Sequence, residues 1–160
     1  MNDPAPIPIE NDSDEGRILA LDLGEKRIGV AVSDETRTIA RSVAVVNRQA
    51  RRADFRRINE LVEQHKVSLL VVGLPLLASG EEGDKAAWVR DYASDLQRNL
   101  GLDLKFWDES FTTVKAEASL RERGIRGRRR RQRVDAVAAA FILQSYLDAL
   151  RTADQGASSQ

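Results

Sequence analysis

Three stretches rich in aliphatic and β-branched residues, 17–23, 27–33 and 38–46, follow one another with links of three and four residues. A parallel connection needs a crossover of about a dozen residues, so these strands must be antiparallel neighbours. The period then changes. Phe55, Ile58, Leu61, Val62 and His65 recur at helical spacing. "SLLVVGLP" (68–75) is a continuous apolar run ending in Gly and Pro, the pattern of a central buried strand. After the loop "LLASGEEG", Asp84 is placed to cap a helix whose Trp88, Tyr92, Leu96 and Leu100 repeat every four residues. Leu102–Glu109 reads as a last strand, and Thr112 or Thr113 offers an N-cap for a helix to about Arg123. Val134–Leu150 is apolar almost all round, as in a buried helix. The expected order is β-β-β-α-β-α-β-α-α. It gives an α/β fold: a mixed five-stranded sheet, three antiparallel strands then two parallel ones, with helices on both faces.

One domain of this kind accounts for residues 17–150. Residues 1–16 read as a disordered acidic tail and 151–160 as a second disordered tail. The 160-residue chain has a formal net charge of zero, but five acids lie in residues 1–15, and residues 16–150 hold 24 bases against 19 acids, a net of +5. Arg outnumbers Lys by twenty to five. Arg pairs bidentately with phosphate, so this balance leans towards a phosphate-rich partner, although a GC-rich genome would also produce it. Cysteine is absent, which excludes disulfides and Cys-ligated metal centres. No apolar run approaches the ~20 residues of a membrane span, and the N-terminus does not read as a signal peptide, so a cytoplasmic address is expected.

Acids stand out in three places. Asp22 ends the first strand, Asp108 and Glu109 end the last, and Asp135 lies at the start of the apolar helix. Each has an ordinary explanation: a turn acid before Gly24, a polar strand end, a helix-dipole acid. In the topology above, however, strands one, four and five lie side by side and open on one edge, where α/β sheets place their sites. Carboxylates converging there make an oxygen-only cavity suited to Mg²⁺ or Mn²⁺. Two such ions activate water and stabilise the leaving oxygen of a phosphodiester. Spacing alone does not choose between Asp108 and Glu109.

"RERGIRGRRRRQR" (121–133) has eight Arg in thirteen positions and one acid. It reads as a mobile basic loop immediately before Asp135. Arg126, Arg128, Arg129, Arg130 and Arg131 would grip a phosphodiester backbone beside the acids. Lys26, Arg27, Thr112 and Thr113 would help to place the strand. A second cluster, Arg48, Arg51, Arg52, Arg56 and Arg57, reads equally well as an extension of that track or as the wet face of a helix. His65, Trp88 and Trp107 read as packing residues rather than as catalyst or stacking platforms.

"LALDLGEKRIGVAVSD", "VVGLP", "DESFTT" and "RVDAVAAAFILQSYL", in this order, resemble the YqgF family of bacterial RNase H-like nucleases over residues 17–150. The family is described both as Holliday junction resolvases and as pre-16S rRNA nucleases. The resemblance implies an RNase H-like fold and Asp22, Glu109 and Asp135 as metal-binding catalytic acids, favouring Glu109 over Asp108. It implies hydrolysis of nucleic acid with Mg²⁺ or Mn²⁺. Trimming of the 5′ end of pre-16S rRNA on a small-subunit precursor leads; a resolvase of branched DNA, or a silent nucleic-acid-binding module, is the alternative. A monomer suits the first and a homodimer the second. The chain departs from the family in the loop after "GLP", which lacks the usual Asn, and at Ser110, where Arg is common. A sugar-kinase or actin-like ATPase also opens on "DLG" but needs a second phosphate-binding hairpin and a longer chain.

Overall fold

The computed structural model describes residues 16–109 and 128–158; at 128–133, 135 and 155–158 the description is of the backbone only. Strands β1 (Arg17–Leu23), β2 (Arg27–Ser33) and β3 (Ala40–Asn47) form the antiparallel half of the sheet. Helix α1 (Arg51–Gln64) crosses to β4 (Val67–Leu74), and α2 (Asp84–Leu100) crosses to β5 (Asp103–Asp108). These strands run parallel to β1, and the sheet order is β3-β2-β1-β4-β5. A long helix, α3 (Arg128–Ser158), completes the described chain.

The two faces of the sheet are covered by different helices. Leu19, Leu21, Leu23, Leu70 and Val72 pack under Phe55, Ile58 and Leu61 of α1 and Val89, Tyr92 and Leu96 of α2. The alternate residues, Ile18, Ala20, Ala31, Leu69 and Val71, pack under Ala139, Ile142, Leu143, Tyr146 and Leu147 of α3. β1 and β4 are therefore buried on both faces, which is why they read as unbroken apolar runs rather than alternating ones. Each fully buried Leu or Ile side chain contributes about 1.5–3 kcal/mol relative to exposure.

Four departures from the expectation have local reasons. Strand β3 starts at Ala40 rather than Thr38, because Asp34 draws the backbone N–H groups of Thr38 and Ile39 into a turn (2.7 and 3.0 Å). Asp84 does not cap α2: Gly83 occupies that position without a side-chain bond, and Asp84 sits in the first turn, where its charge opposes the positive end of the helix dipole. Arg128–Arg133 belong to α3 rather than to a loop, consistent with the good helix propensity of Arg. The same helix continues past Leu150 to Ser158, tied beyond that point by Arg151 to Asp148 and by the Thr152 hydroxyl to the Asp148 carbonyl. The tail 1–15 and the helix expected over 112–123 lie outside the described residues.

Candidate active site

Asp22 is the last residue but one of β1 and pairs with Gly29 across β2. Strand alternation puts it on the same face as Ile18 and Ala20, the face covered by α3. Beyond it, Gly24 makes the turn that sends the chain back along β2. Its N–H bonds the Arg27 carbonyl at 2.9 Å, and that oxygen leaves no room for a side chain, standing 2.6 Å from where a Cβ would lie. Arg27 is two residues from Gly29 and four from Ala31, so it faces the same side as Asp22. Lys26 is exposed in the turn itself.

Glu109 follows the end of β5, held by its backbone N–H to the Leu74 carbonyl at 3.2 Å. Trp107 belongs to the α3-side cluster, so alternation carries Glu109 to that face and Asp108 to the other. The side chains of Asp22 and Glu109 are hydrogen-bonded to each other. Burial pushes the Glu109 carboxyl up from its usual range, and the neighbouring Asp108 charge adds to this; the bond with Asp22 and the Lys85 ammonium act in the opposite direction. Two carboxyl groups in direct contact require a proton or a cation between them. All the atoms offered are hard oxygens, which fit Mg²⁺ or Mn²⁺.

Asp135 lies on α3, seven residues after Arg128; its side chain is outside what the structure describes. Among the described residues no cluster of three metal-ligating side chains occurs, and Asp22 with Glu109 is the part of the expected triad they contain. Thr112, Thr113, Ser110 and Arg126 fall outside the described residues, and Arg128, Arg129, Arg130 and Arg131 are placed on α3 by backbone alone.

The second Arg cluster divides. Arg48 is internal: its Nη1 donates to the carbonyls of Gly24 and Glu25 (3.3 and 2.8 Å), and its guanidinium lies 4.5 Å from the Trp88 ring centre. Arg51 bridges Asp91 and Asp95 of α2 at 2.9 and 3.3 Å. Arg52, Arg56 and Arg57 face solvent from α1, with Arg57 paired to Glu60. Trp88 and Trp107 pack against the two cores, as expected, and Trp107 Nε1 donates to Ser145 Oγ at 3.1 Å. Lys85 was not legible as a site residue. It lies in the first turn of α2, at the end of a loop closed by the Leu76–Glu82 bridge, and that loop brings its charge to Glu109.

A sheet of three antiparallel and two parallel strands, with acids at the C-terminal ends of β1 and β5, defines an RNase H-like domain. Two solved structures share this fold with the chain: Thermus thermophilus RuvC in complex with a Holliday junction substrate (TM-score 0.55, 17% identity, 86% of this chain and 97% of that one) and Thermus thermophilus RuvC alone (0.52, 16%, 85% and 96%). A family model described as "RuvX: Holliday junction resolvase" matches residues 16–149. The chain belongs to this family, the one also called YqgF. Among curated relatives, proteins named "Putative pre-16S rRNA nuclease" include one from Roseiflexus sp., 41% identical over 139 residues (87% of this chain, 99% of the relative). Another, from Moorella thermoacetica, is 46% identical over 134 residues (84% and 96%). No helix among the described residues is long and apolar enough to cross a membrane.

Proposed function

We propose that the protein is a divalent-metal-dependent nuclease that trims the 5′ end of the 16S rRNA precursor. The observation that carries the chemistry is the contact between Asp22 and Glu109, two acids from distant parts of the chain set against each other at one end of the sheet. The relatives' name supplies the substrate. Asp22, Glu109 and Asp135 would hold Mg²⁺ or Mn²⁺. When bound, the ions supply a nucleophilic water at neutral pH and charge stabilisation of the leaving oxygen. The chain's own task is to hold the strand against that point. Arg27 does so from the site face of β2 and Lys26 from the turn; Thr112, Thr113, Arg126 and Arg128–Arg131 extend the phosphate contacts. Lys85 offsets part of the negative charge around Glu109. Such work suits the cytoplasm, where the small-subunit precursor is assembled.

A second reading, resolution of a four-way DNA junction by a homodimer, is favoured by the description of the matching family. Incubating full-length protein with a 5′-extended 16S precursor and, separately, with a four-way junction, each with Mg²⁺ or Mn²⁺, distinguishes them. Trimming of the precursor by the wild type and not by Asp22→Asn is the expected result. Cleavage of the junction alone would transfer the function to recombination. Salt-sensitive binding of both substrates without cleavage of either would overturn the nuclease reading.

A further inference from the structure

Asp22 and Glu109 meet beside a position that carries no side chain. Val72 of β4 stands opposite Leu21 of β1, so Gly73 is level with Asp22 on the neighbouring strand; on its other side Gly73 pairs with Trp107, two residues before Glu109. A Cβ at Gly73 would lie 2.6 Å from Glu109 Oε2, 2.6 Å from Ile142 Cδ1 and 3.3 Å from Glu109 Cβ. Two of these distances are far inside the roughly 3.5–4.0 Å at which non-bonded heavy atoms rest. Gly73 has a negative φ, so backbone conformation does not demand a glycine here. The demand comes from space, and the atoms filling that space are a carboxylate oxygen of the site and a methyl of α3.

We infer that Gly73 is a positioning residue for Glu109. By presenting bare backbone it forms a seat on which the Glu109 carboxyl lies flat against the sheet beside Asp22, and Ile142 closes the seat from the α3 side. A glutamate has three side-chain torsions and, left unsupported after a strand end, would turn towards solvent. Held between Gly73 and Ile142, it keeps the separation from Asp22 that a shared cation requires. The seat matters for metal affinity only if the metal-dependent reading above is correct. The bland account is that Gly73 merely lets α3 approach the sheet, and it makes a different prediction, because removing Ile142 Cδ1 would then cure the defect.

The test is Mn²⁺ titration of the full-length chain by electron paramagnetic resonance, with thermal unfolding alongside, for wild type, Gly73→Ala and the double variant Gly73→Ala/Ile142→Val. Gly73→Ala should weaken Mn²⁺ binding by about 10- to 100-fold, the range for residues that orient a metal ligand. The double variant should regain thermal stability without regaining Mn²⁺ affinity. Wild-type affinity in either variant overturns the inference. If the wild type takes up no Mn²⁺, the metal-dependent reading fails, and the seat is judged on the crystal structure of the double variant. A Glu109 carboxyl displaced by about 1 Å, a shift that matters at an active site, supports it, and an unmoved carboxyl overturns it.

Discussion

Asp54 and Glu109 are both acids withdrawn from water, one under each face of the sheet, and their surroundings differ in kind. Asp54 is 1% exposed, yet its oxygens are provided for: the Gln49 N–H at 2.9 Å, the Tyr92 hydroxyl at 3.0 Å, and the Arg48 guanidinium with Nε at 4.0 Å. Burial, then the Asp54 charge, holds the Tyr92 proton in place by pushing that hydroxyl's pKa up. Glu109 is only partly buried, but its hydrogen-bonding partner is another acid, Asp22, and an α3 methyl lies close by. In the first arrangement both Asp54 oxygens accept a hydrogen bond without any added component, while Arg48 Nε offers its charge at 4.0 Å and makes no hydrogen bond of its own. The second is electrostatically unfinished, and under the proposed function a divalent cation would finish it. On the proposed function, burial alone does not mark a functional acid; the chemistry of its nearest partner does.

The largest expected effect tests that contrast directly. Asp22→Asn should cut the rate of precursor cleavage by at least about a hundredfold, the order lost when a group acting on developing charge is removed. The metal-free unfolding midpoint should stay level or rise, because an Asn amide can still donate to Glu109 without a proton shared between two acids. Asp54→Ala should do the reverse. It leaves a tyrosine hydroxyl and a backbone N–H without their acceptor and an Arg without its counter-ion, at a cost of about 3 kcal/mol or more in urea unfolding. Its cleavage rate per folded molecule should match the wild type. If Asp54→Ala were as slow as Asp22→Asn while folded, the division between a finished and an unfinished acid would collapse.

Much of the antiparallel half was legible in the sequence because short links left no other topology, and β1 and β2 run over the residues expected. β3 was read two residues too early because Asp34 looks like an ordinary strand-end acid until its turn is seen to capture Thr38 and Ile39. The Arg run was read as loop on charge alone, although Arg is a good helix former and Arg128–Arg133 are helical. Asp108 and Glu109 were inseparable by spacing. Their choice depends on which face α3 covers, a tertiary fact carried by Trp107 and Ile142. Lys85 had no signal, since a nine-residue excursion between β4 and α2 sets where its charge arrives. Gly73 was noticed as the end of an apolar run; that its missing side chain makes room for a carboxylate is visible only in three dimensions.

The pH dependence of stability should carry the mark of Glu109, with smaller amplitude. The Glu109 carboxyl is raised above its unfolded value of 4.5, so between these two values the folded protein holds more protons than the unfolded one. Its stabilising contribution is complete below pH 4.5 and is lost as pH rises through the raised folded value. The metal-free unfolding midpoint of the wild type should thus fall over that window relative to Glu109→Gln. Saturating Mn²⁺ should reverse the sign, because metal binds the deprotonated form. A slope identical in both proteins without metal would show that Glu109 is not the desolvated acid described here.

Asp34 supplies a third arrangement, an acid near the surface finished by local donors, and the smallest effect. The Thr36 hydroxyl first, then the N–H groups of Ile39 and Thr38, hold its carboxyl down from 3.8 to about 2. The sign is opposite to that of Glu109: the folded state releases protons more readily, so the contribution is present above pH 3.8 and disappears as pH falls through about 2. Asp34→Asn should lower the unfolding midpoint slightly at neutral pH, and the gap from wild type should close between pH 3.8 and about 2. Because the donors belong to the turn, added Mn²⁺ should leave this gap unchanged. A metal-sensitive gap would mean that the cation's influence reaches the far end of the sheet, and Asp34 could no longer be treated as an acid finished by its own turn.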